Sequence, residues 1–191
     1  MRTAQISRET KETRIDLRLC LDGGVVEVHT GIGFFDHMLT ALAFYGGLGL
    51  HLEAKGDLEV DGHHTVEDTG IVLGQAFRQA LGSRKGIRRF ASAYVPMDEA
   101  LAFTALDISN RPFLVYEAEM PQERMGEYDA CLTEEFMRAF AVNGGLTLHM
   151  KALYGRNSHH ITEALFKSLG LALKDAVKIE GSGVTSTKGV L

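Results

Sequence analysis

DGHHTVED at residues 61–68 and NSHHITEA at residues 157–164 decide the architecture. Each is a cap-like pair, two adjacent histidines, two further residues and then a glutamate, Glu67 or Glu163. Working outward from both gives the same order of elements. Upstream of the first, His37 lies 26 residues before His63; upstream of the second, Glu135 lies 24 residues before His159. FFDHMLTALAF and CLTEEFMRAFA can be laid over each other so that His37 falls on Glu135. A motif recurring with its flanks at long period is the mark of a duplicated unit.

The first 30 residues read as strands. TRIDLRLCLDGG puts Ile15, Leu17, Leu19 and Leu21 on one face by alternation, and Asp22-Gly23-Gly24 turns the chain into VVEVHT as a return strand. GFFDHMLTALAFYGG spaces Phe34, Met38, Leu42 and Tyr45 as a helix closed by glycines. LHLEAKGDLEVDG reads as strand, turn, strand. HHTVEDTGIVLGQAFRQALGSRKG then reads as a helix with Val66, Ile71, Leu73, Ala76, Phe77 and Leu81 on its apolar side. The second half repeats this plan. ALAFTALDIS and PFLVYEAEM are strands joined by Asn110-Arg111-Pro112, CLTEEFMRAFAVNGG is a helix, LTLHMKALYG a strand, and NSHHITEALFKSLGLALKDAV a long helix capped by Asn157 and Ser158. The expected fold class is α+β: an internally duplicated β-β-α-β-α unit, its two similar halves having sheets on one side and helices on the other. The halves are residues 1–85 and 86–191, the second ending in the tail GSGVTSTKGVL, which is flexible by composition and is expected to order and close when a ligand arrives.

At 191 residues the chain is one large domain or two small ones. Its 45% apolar and 24% charged residues are enough to build a core, which excludes general disorder. No run of about 18 apolar residues exists to span a membrane, and MRTAQISRETKETR lacks the apolar core of a secretory signal. The formal charge of −5 argues against a nucleic-acid partner. Cys20 and Cys131 are too few for a disulfide scaffold and read as buried thiols of a cytoplasmic protein. RKGIRR (84–89) reads as a solvated turn; the competing reading is a local cationic pocket for one anionic group.

The eight histidines carry the chemistry. On a helix His63 and Glu67 are four apart and His64 and Glu67 three apart, so either pair can face one ion. Adjacent histidines point about 100° apart and serve different ions. The same holds for His159, His160 and Glu163. A core would not need the polar pair twice, and a solvated face would not need the same carboxylate offset twice. Imidazole with carboxylate and no thiolate suits Mn²⁺, Fe²⁺, Zn²⁺ or Ni²⁺, and about three histidines and a carboxylate per ion with open positions left favour six-coordinate Mn²⁺. Because the ligands of each pair diverge, a metal shared between subunits is the simple resolution, which implies a symmetric oligomer. His29 and His51, at strand ends, are read as non-functional, and His149 as at most a group behind the ligands.

GIGFFDHM (31–38), DGHHTVED (61–68), RKGIRRF (84–90), SNRPFL (109–114), NSHHITEALFK (157–167) and STKGVL (186–191) resemble imidazoleglycerol-phosphate dehydratase, in order and over nearly the whole chain from KET (11–13) onward. The resemblance implies a lyase of histidine biosynthesis that dehydrates D-erythro-imidazole glycerol phosphate to imidazole acetol phosphate. It implies two similar α+β halves, a homo-oligomer of 24 subunits, and two manganese ions per active site between subunits. It implies His37, His63, His64, Glu67, His159, His160 and Glu163 as metal ligands, with Glu135 in a position where several members carry histidine. Glu12 matches an active-site glutamate donated across a subunit interface. Arg89, Arg111, Lys167, Ser186 and Lys188 match the grip on substrate and phosphate. Two further positions depart from the family: Tyr45 stands where others have histidine, and Ala41 where others have glutamine.

The chemistry this implies breaks a C–O bond beside an imidazole ring and removes hydrogen from the neighbouring carbon. With both ring nitrogens on metal, the ring becomes imidazolate, expels the hydroxyl to give a diazafulvene, and so acidifies the next C–H. Glu12 and Glu163 are the carboxylates available to move protons. Two rival classes share part of the signature. A dinuclear phosphohydrolase would want bridging aspartates, for which Asp36, Asp61 and Asp68 are the nearby candidates. A non-catalytic metal-binding shell would leave Arg89, Arg111 and Lys188 without a role.

Overall fold

The computed structural model describes residues 1–189. The final two residues of the STKGVL motif lie outside them. The first half runs β1 (Thr3–Glu9), β2 (Thr13–Cys20), β3 (Val26–His29), α1 (Gly33–Gly46), β4 (Gly49–Gly56) and α2 (His63–Leu81). The second runs β5 (Phe90–Met97), β6 (Ala100–Asp107), β7 (Phe113–Glu117), the two-residue strands β8 (Arg124–Met125) and β9 (Tyr128–Asp129), then α3 (Leu132–Gly144), β10 (Thr147–Tyr154) and α4 (Ser158–Ala176). The strand orders are β1-β2-β4-β3 and β5-β6-β10-β7, so the two halves are built alike. The α+β class and the duplication stand as expected. Each half also has a leading strand, β1 or β5, pairing antiparallel with the strand after it.

VVEVHT is not a return strand beside β2. β3 crosses to the far edge and runs parallel to β4, and β7 likewise runs parallel to β10. The crossing explains the glycines. Gly23 (φ 96°) and Gly24 (φ 149°) pass over the start of β4, where a Cβ on Gly49 would lie 2.9 Å from the Gly23 carbonyl oxygen. In the second half Asn110 (φ 58°) crosses against Gly145 and donates its backbone N–H to that residue's carbonyl at 2.8 Å. The second strand expected within GDLEVDG is instead a turn closed by Val60 N–H donating to the Asp57 carbonyl.

One face of β2 is sealed: Ile15, Leu17 and Leu19 are each at most 1% exposed. α2 packs on β1 and β2, and α4 on β5 and β6. The helices then pair across the halves, α1 with α4 and α2 with α3. Phe35, Phe136 and Phe166 join three helices in one aromatic cluster, with Phe136 stacked on Phe166 and met edge-on by Phe35 at ring centroids 5.3–5.4 Å apart. The buried face of α1 keeps Met38 and Leu42 of the expected stripe and adds Phe35 and Leu39, while Phe34 is half-buried and Tyr45 exposed. Glycine allows the helix pairs to approach closely. A Cβ on Gly170 would sit 2.5 Å from the Leu42 carbonyl oxygen, and one on Gly74 would sit 2.8 Å from that of Phe140. The cysteines differ from expectation: Cys20 is half-buried and Cys131, just before α3, is exposed. Among the described residues no helix is long and apolar enough to cross a membrane.

Candidate metal centre

Both histidine pairs open a helix, and both openings are built alike. The Asp61 carboxylate accepts the backbone N–H of His63 at 2.8 Å, and the Asn157 side chain accepts that of His159 at 2.9 Å. Short polar side chains satisfy the free N–H groups of a first helical turn in this way, so the repeated Asx residue fixes where each pair stands.

The close α1–α4 packing brings His37 to the second pair. Glu163 Oε2 lies 3.2 Å from His37 Nε2 and 3.2 Å from His159 Nε2. These donors all lie within 4.8 Å of one another, which among the described residues is the one cluster of three metal-type ligands. Glu163 is buried, and its other oxygen accepts from Lys167 Nζ at 2.7 Å. Burial pushes the Glu163 carboxyl up, but the hydrogen bonds from Lys167 and His37 outweigh it and hold the group below the usual carboxylate range. An ionised oxygen facing two imidazoles fits a divalent cation.

The related cluster on α2 and α3 is looser. His63 Nε2 lies 3.7 Å from Glu67 Oε2 across one helical turn. Glu135, expected to complement them as His37 complements His159, is half-buried and has its Oε2 4.0 Å from Arg138 Nε. The chain therefore assembles one three-ligand cluster and does not gather Glu135 into a second.

His64 and His160, the outer members of each pair, are oriented by carboxylates that the sequence reading missed. His64 Nδ1 lies 3.0 Å from Asp57 Oδ2, and the Asp57 bond raises the pKa of that imidazole. His160 Nδ1 lies 2.7 Å from Glu99 Oε2. The His160 bond, helped by backbone N–H groups of Arg156 and Asn157, takes Glu99 down to about 2. In both rings Nε2 faces a hairpin carboxylate, Glu12 at 3.9 Å from His64 and Asp98 at 3.6 Å from His160. Glu12 belongs to the β1–β2 turn, which Asp68 pins to α2. The Asp68 carboxylate accepts from Arg8 at 2.5 Å and from the Thr13 hydroxyl. Asp36 is likewise engaged, by the N–H and hydroxyl of Thr30. Asp36, Asp61 and Asp68 are thus all structural, which removes the bridging aspartates that the phosphohydrolase reading needs.

The anion-gripping residues stand elsewhere. Arg89 is buried, with Nε and one terminal nitrogen on Asp107 at 2.6 and 3.0 Å and the other nitrogen donating to the Thr185 carbonyl at 2.6 Å. Arg111 is exposed and reaches the same Asp107 at 3.5 Å. RKGIRR is therefore no solvated turn throughout: Arg84 and Arg89 are buried, Lys85 and Arg88 exposed. The tail runs against this segment as far as Thr185, whose hydroxyl donates to the Ile87 carbonyl, and half-buried Ser186 and exposed Lys188 follow. Lys167 alone of the expected substrate contacts stands at the histidine cluster. Arg89 N–H donates to the Ala176 carbonyl, at the end of α4 away from His160. At ~1.5 Å per residue that separation is about 24 Å.

A family model for imidazoleglycerol-phosphate dehydratase matches residues 30–173. The chain belongs to the imidazoleglycerol-phosphate dehydratase family. Membership makes it a hydro-lyase. A dehydratase of that name from Exiguobacterium sp. is 56% identical over 191 residues, covering 99% of this chain and 98% of the relative. One from Acetivibrio thermocellus is 56% identical over 193 residues, covering 100% and 99%. The crystal structure of the Staphylococcus aureus imidazoleglycerol-phosphate dehydratase matches with a TM-score of 0.85 at 38% identity, covering 93% of this chain and 99% of that one. That of the Pyrococcus furiosus dehydratase in complex with (S)-C348 matches at 0.86 and 41% identity, covering 97% and 100%.

Proposed function

We propose that the chain dehydrates imidazoleglycerol phosphate to imidazole acetol phosphate, a step of histidine biosynthesis in the cytoplasm, as a manganese-dependent homo-oligomer. The cluster of His37, His159 and Glu163 carries the proposal. These three would hold one ion. His63 and Glu67 would hold a second ion, for which Glu135 on α3 is the further candidate. His64 and His160, with Nδ1 on Asp57 and Glu99, would use Nε2 to hold ions shared with neighbouring subunits. When bound, the ions supply Lewis acidity that favours the substrate ring as its anion.

The chain's own groups do the rest. Glu163 is held ionised by Lys167, which suits a ligand better than a proton carrier. Glu12 is exposed, and the hydrogen bond within its turn is made by its backbone N–H to Thr10, leaving the carboxylate free beside His64. It is the group that takes the proton from the carbon adjacent to the one losing its hydroxyl and gives a proton to that hydroxyl, which departs as water. The resulting enol becomes the ketone. Arg89 and Arg111 bind the phosphate by the planar guanidinium fork, and Ser186 and Lys188 close over it from the tail.

The separation of about 24 Å along α4 supports an assembly in which one chain's arginines serve another chain's histidines; the family resemblance sets the expected count at 24. The outer face of the second sheet, with Tyr94, Phe90 and Phe113 all more than half exposed, offers apolar surface for such packing. The test is metal analysis with mass by light scattering, on the purified protein and on His64→Ala and His160→Ala, together with an assay for the ketone product. Manganese, a large assembly and ketone formation, all lost or reduced in both variants, are expected. Release of inorganic phosphate would point to the hydrolase instead. A metal-replete protein inert toward the substrate would leave only a binding shell.

A further inference from the structure

We infer that Glu99 and Asp57 are positioning residues which keep hydrogen on Nδ1 of His160 and His64, so that Nε2 is the nitrogen presented for ligation. The inference rests on the metal reading above and deepens it. A neutral imidazole has one N–H and one lone pair, and only the lone pair binds a cation. Whichever nitrogen donates to a fixed acceptor leaves the other as the ligand. Both outer histidines show the same arrangement in unrelated local settings. Glu99 comes from the β5–β6 turn and Asp57 from the end of β4, yet each meets Nδ1, at 2.7 and 3.0 Å. Two independent carboxylates on the same ring atom of duplicated histidines are unlike incidental surface pairing.

The two supports differ in a way that can be tested. Glu99 uses its second oxygen as well: Oε1 accepts the backbone N–H groups of Arg156 and Asn157, both at 2.9 Å. In Glu99→Gln the amide oxygen is claimed by those two donors, since turning the amide would set its NH₂ against them. The NH₂ is then directed at His160 Nδ1, which must accept, and the ring hydrogen moves to Nε2. The isosteric change thus selects the tautomer that cannot ligate. Asp57 carries no such obligation. Both its oxygens lie near His64 Nδ1, at 3.2 and 3.0 Å, with no other donor on them among the described residues. Asp57→Asn can turn its carbonyl oxygen to the ring and preserve the tautomer. Glu99→Ala removes the partner without imposing the wrong one.

The experiment is retention of Mn²⁺ by the full-length protein during dialysis against a graded series of chelator, read by metal analysis. Melting temperature and light scattering report fold and assembly. Glu99→Gln is expected to weaken retention about 10–100-fold, the usual size for loss of such a support. Asp57→Asn should stay near wild type, with Glu99→Ala between them. A purely structural role predicts the opposite order, with alanine worse than glutamine. Equal retention by Glu99→Gln and wild type overturns the inference, as does Asp57→Asn falling as far as Glu99→Gln. Should Glu99→Gln fail to assemble, Glu99→Ala still decides: retention equal to Asp57→Asn overturns the inference. A wild-type protein that holds no Mn²⁺ overturns the metal reading itself, which separates the two failures.

Discussion

Gly170 of α4 faces the carbonyl of Leu42 in α1 with no room for a side chain: a Cβ would sit 2.5 Å from that oxygen. The contact sets the spacing of the two helices whose first two turns carry His37 and His159. Gly170→Ala must push them apart. A destabilisation of about 1–3 kcal/mol is expected, as for other overpacked interiors, with weaker metal retention. Denaturant unfolding measures the first. Gly181→Ala, where nothing lies within 4 Å of the added carbon, serves as the neutral control.

Asp68 holds the β1–β2 turn against α2 through Arg8 and Thr13. Asp68→Ala frees the turn that carries Glu12. The turnover number is expected to fall by tenfold or more while manganese content stays at the wild-type level, because no expected ligand is touched. Steady-state kinetics beside metal analysis checks both halves of that statement.

Asp107 organises Arg89 and Arg111 together. Asp107→Asn weakens a charge-assisted fork and lets both guanidiniums wander. Removing residues 186–191 deletes the rest of the same grip. Both changes should raise KM strongly and leave metal content unaltered; unchanged kinetics in either variant would count against the phosphate assignment.

Asp22 fixes the N-terminal strand to the end of α4. Its carboxylate accepts the backbone N–H and guanidinium of Arg2, and Arg2 in turn donates to the Val177 carbonyl at 2.6 Å. The Arg2 side-chain bond, then its backbone N–H, hold Asp22 below its ordinary 3.8. A carboxyl depressed by folding contributes stability that is complete above its unfolded pKa and vanishes as pH falls through the folded one. Wild type should therefore exceed Asp22→Asn in stability above pH 3.8, and the gap should close in more acid solution. Thermal unfolding across that range reads the difference.

The duplicated histidines were legible in the sequence because helical spacing and a repeated Asx cap are local signals. The same is true of β2, whose alternation is regular. For strands β3 and β7 the sequence points to the wrong neighbours, since Asp22-Gly23-Gly24 and Asn110-Arg111-Pro112 both suggest hairpins and only tertiary packing shows that each crosses a strand end. Glu99, Asp57 and Asp68 left no local trace as partners of His160, His64 and Thr13. Glu99 reaches a ring 61 positions away, and one acidic residue near a turn looks like any other. Ligands recur in a pattern, whereas the groups behind them are set by where the fold happens to bring a carboxylate.

Pairing α1 with α4 and α2 with α3 has an evolutionary corollary. Neither half owns a complete helix pair, so a single-copy forerunner of this design could have gathered His37-like and His159-like ligands only by docking its helices against those of a twin. The present chain is then two docked copies made permanent by fusion. Cutting it in the 82–89 connection should yield fragments that regain metal only when mixed.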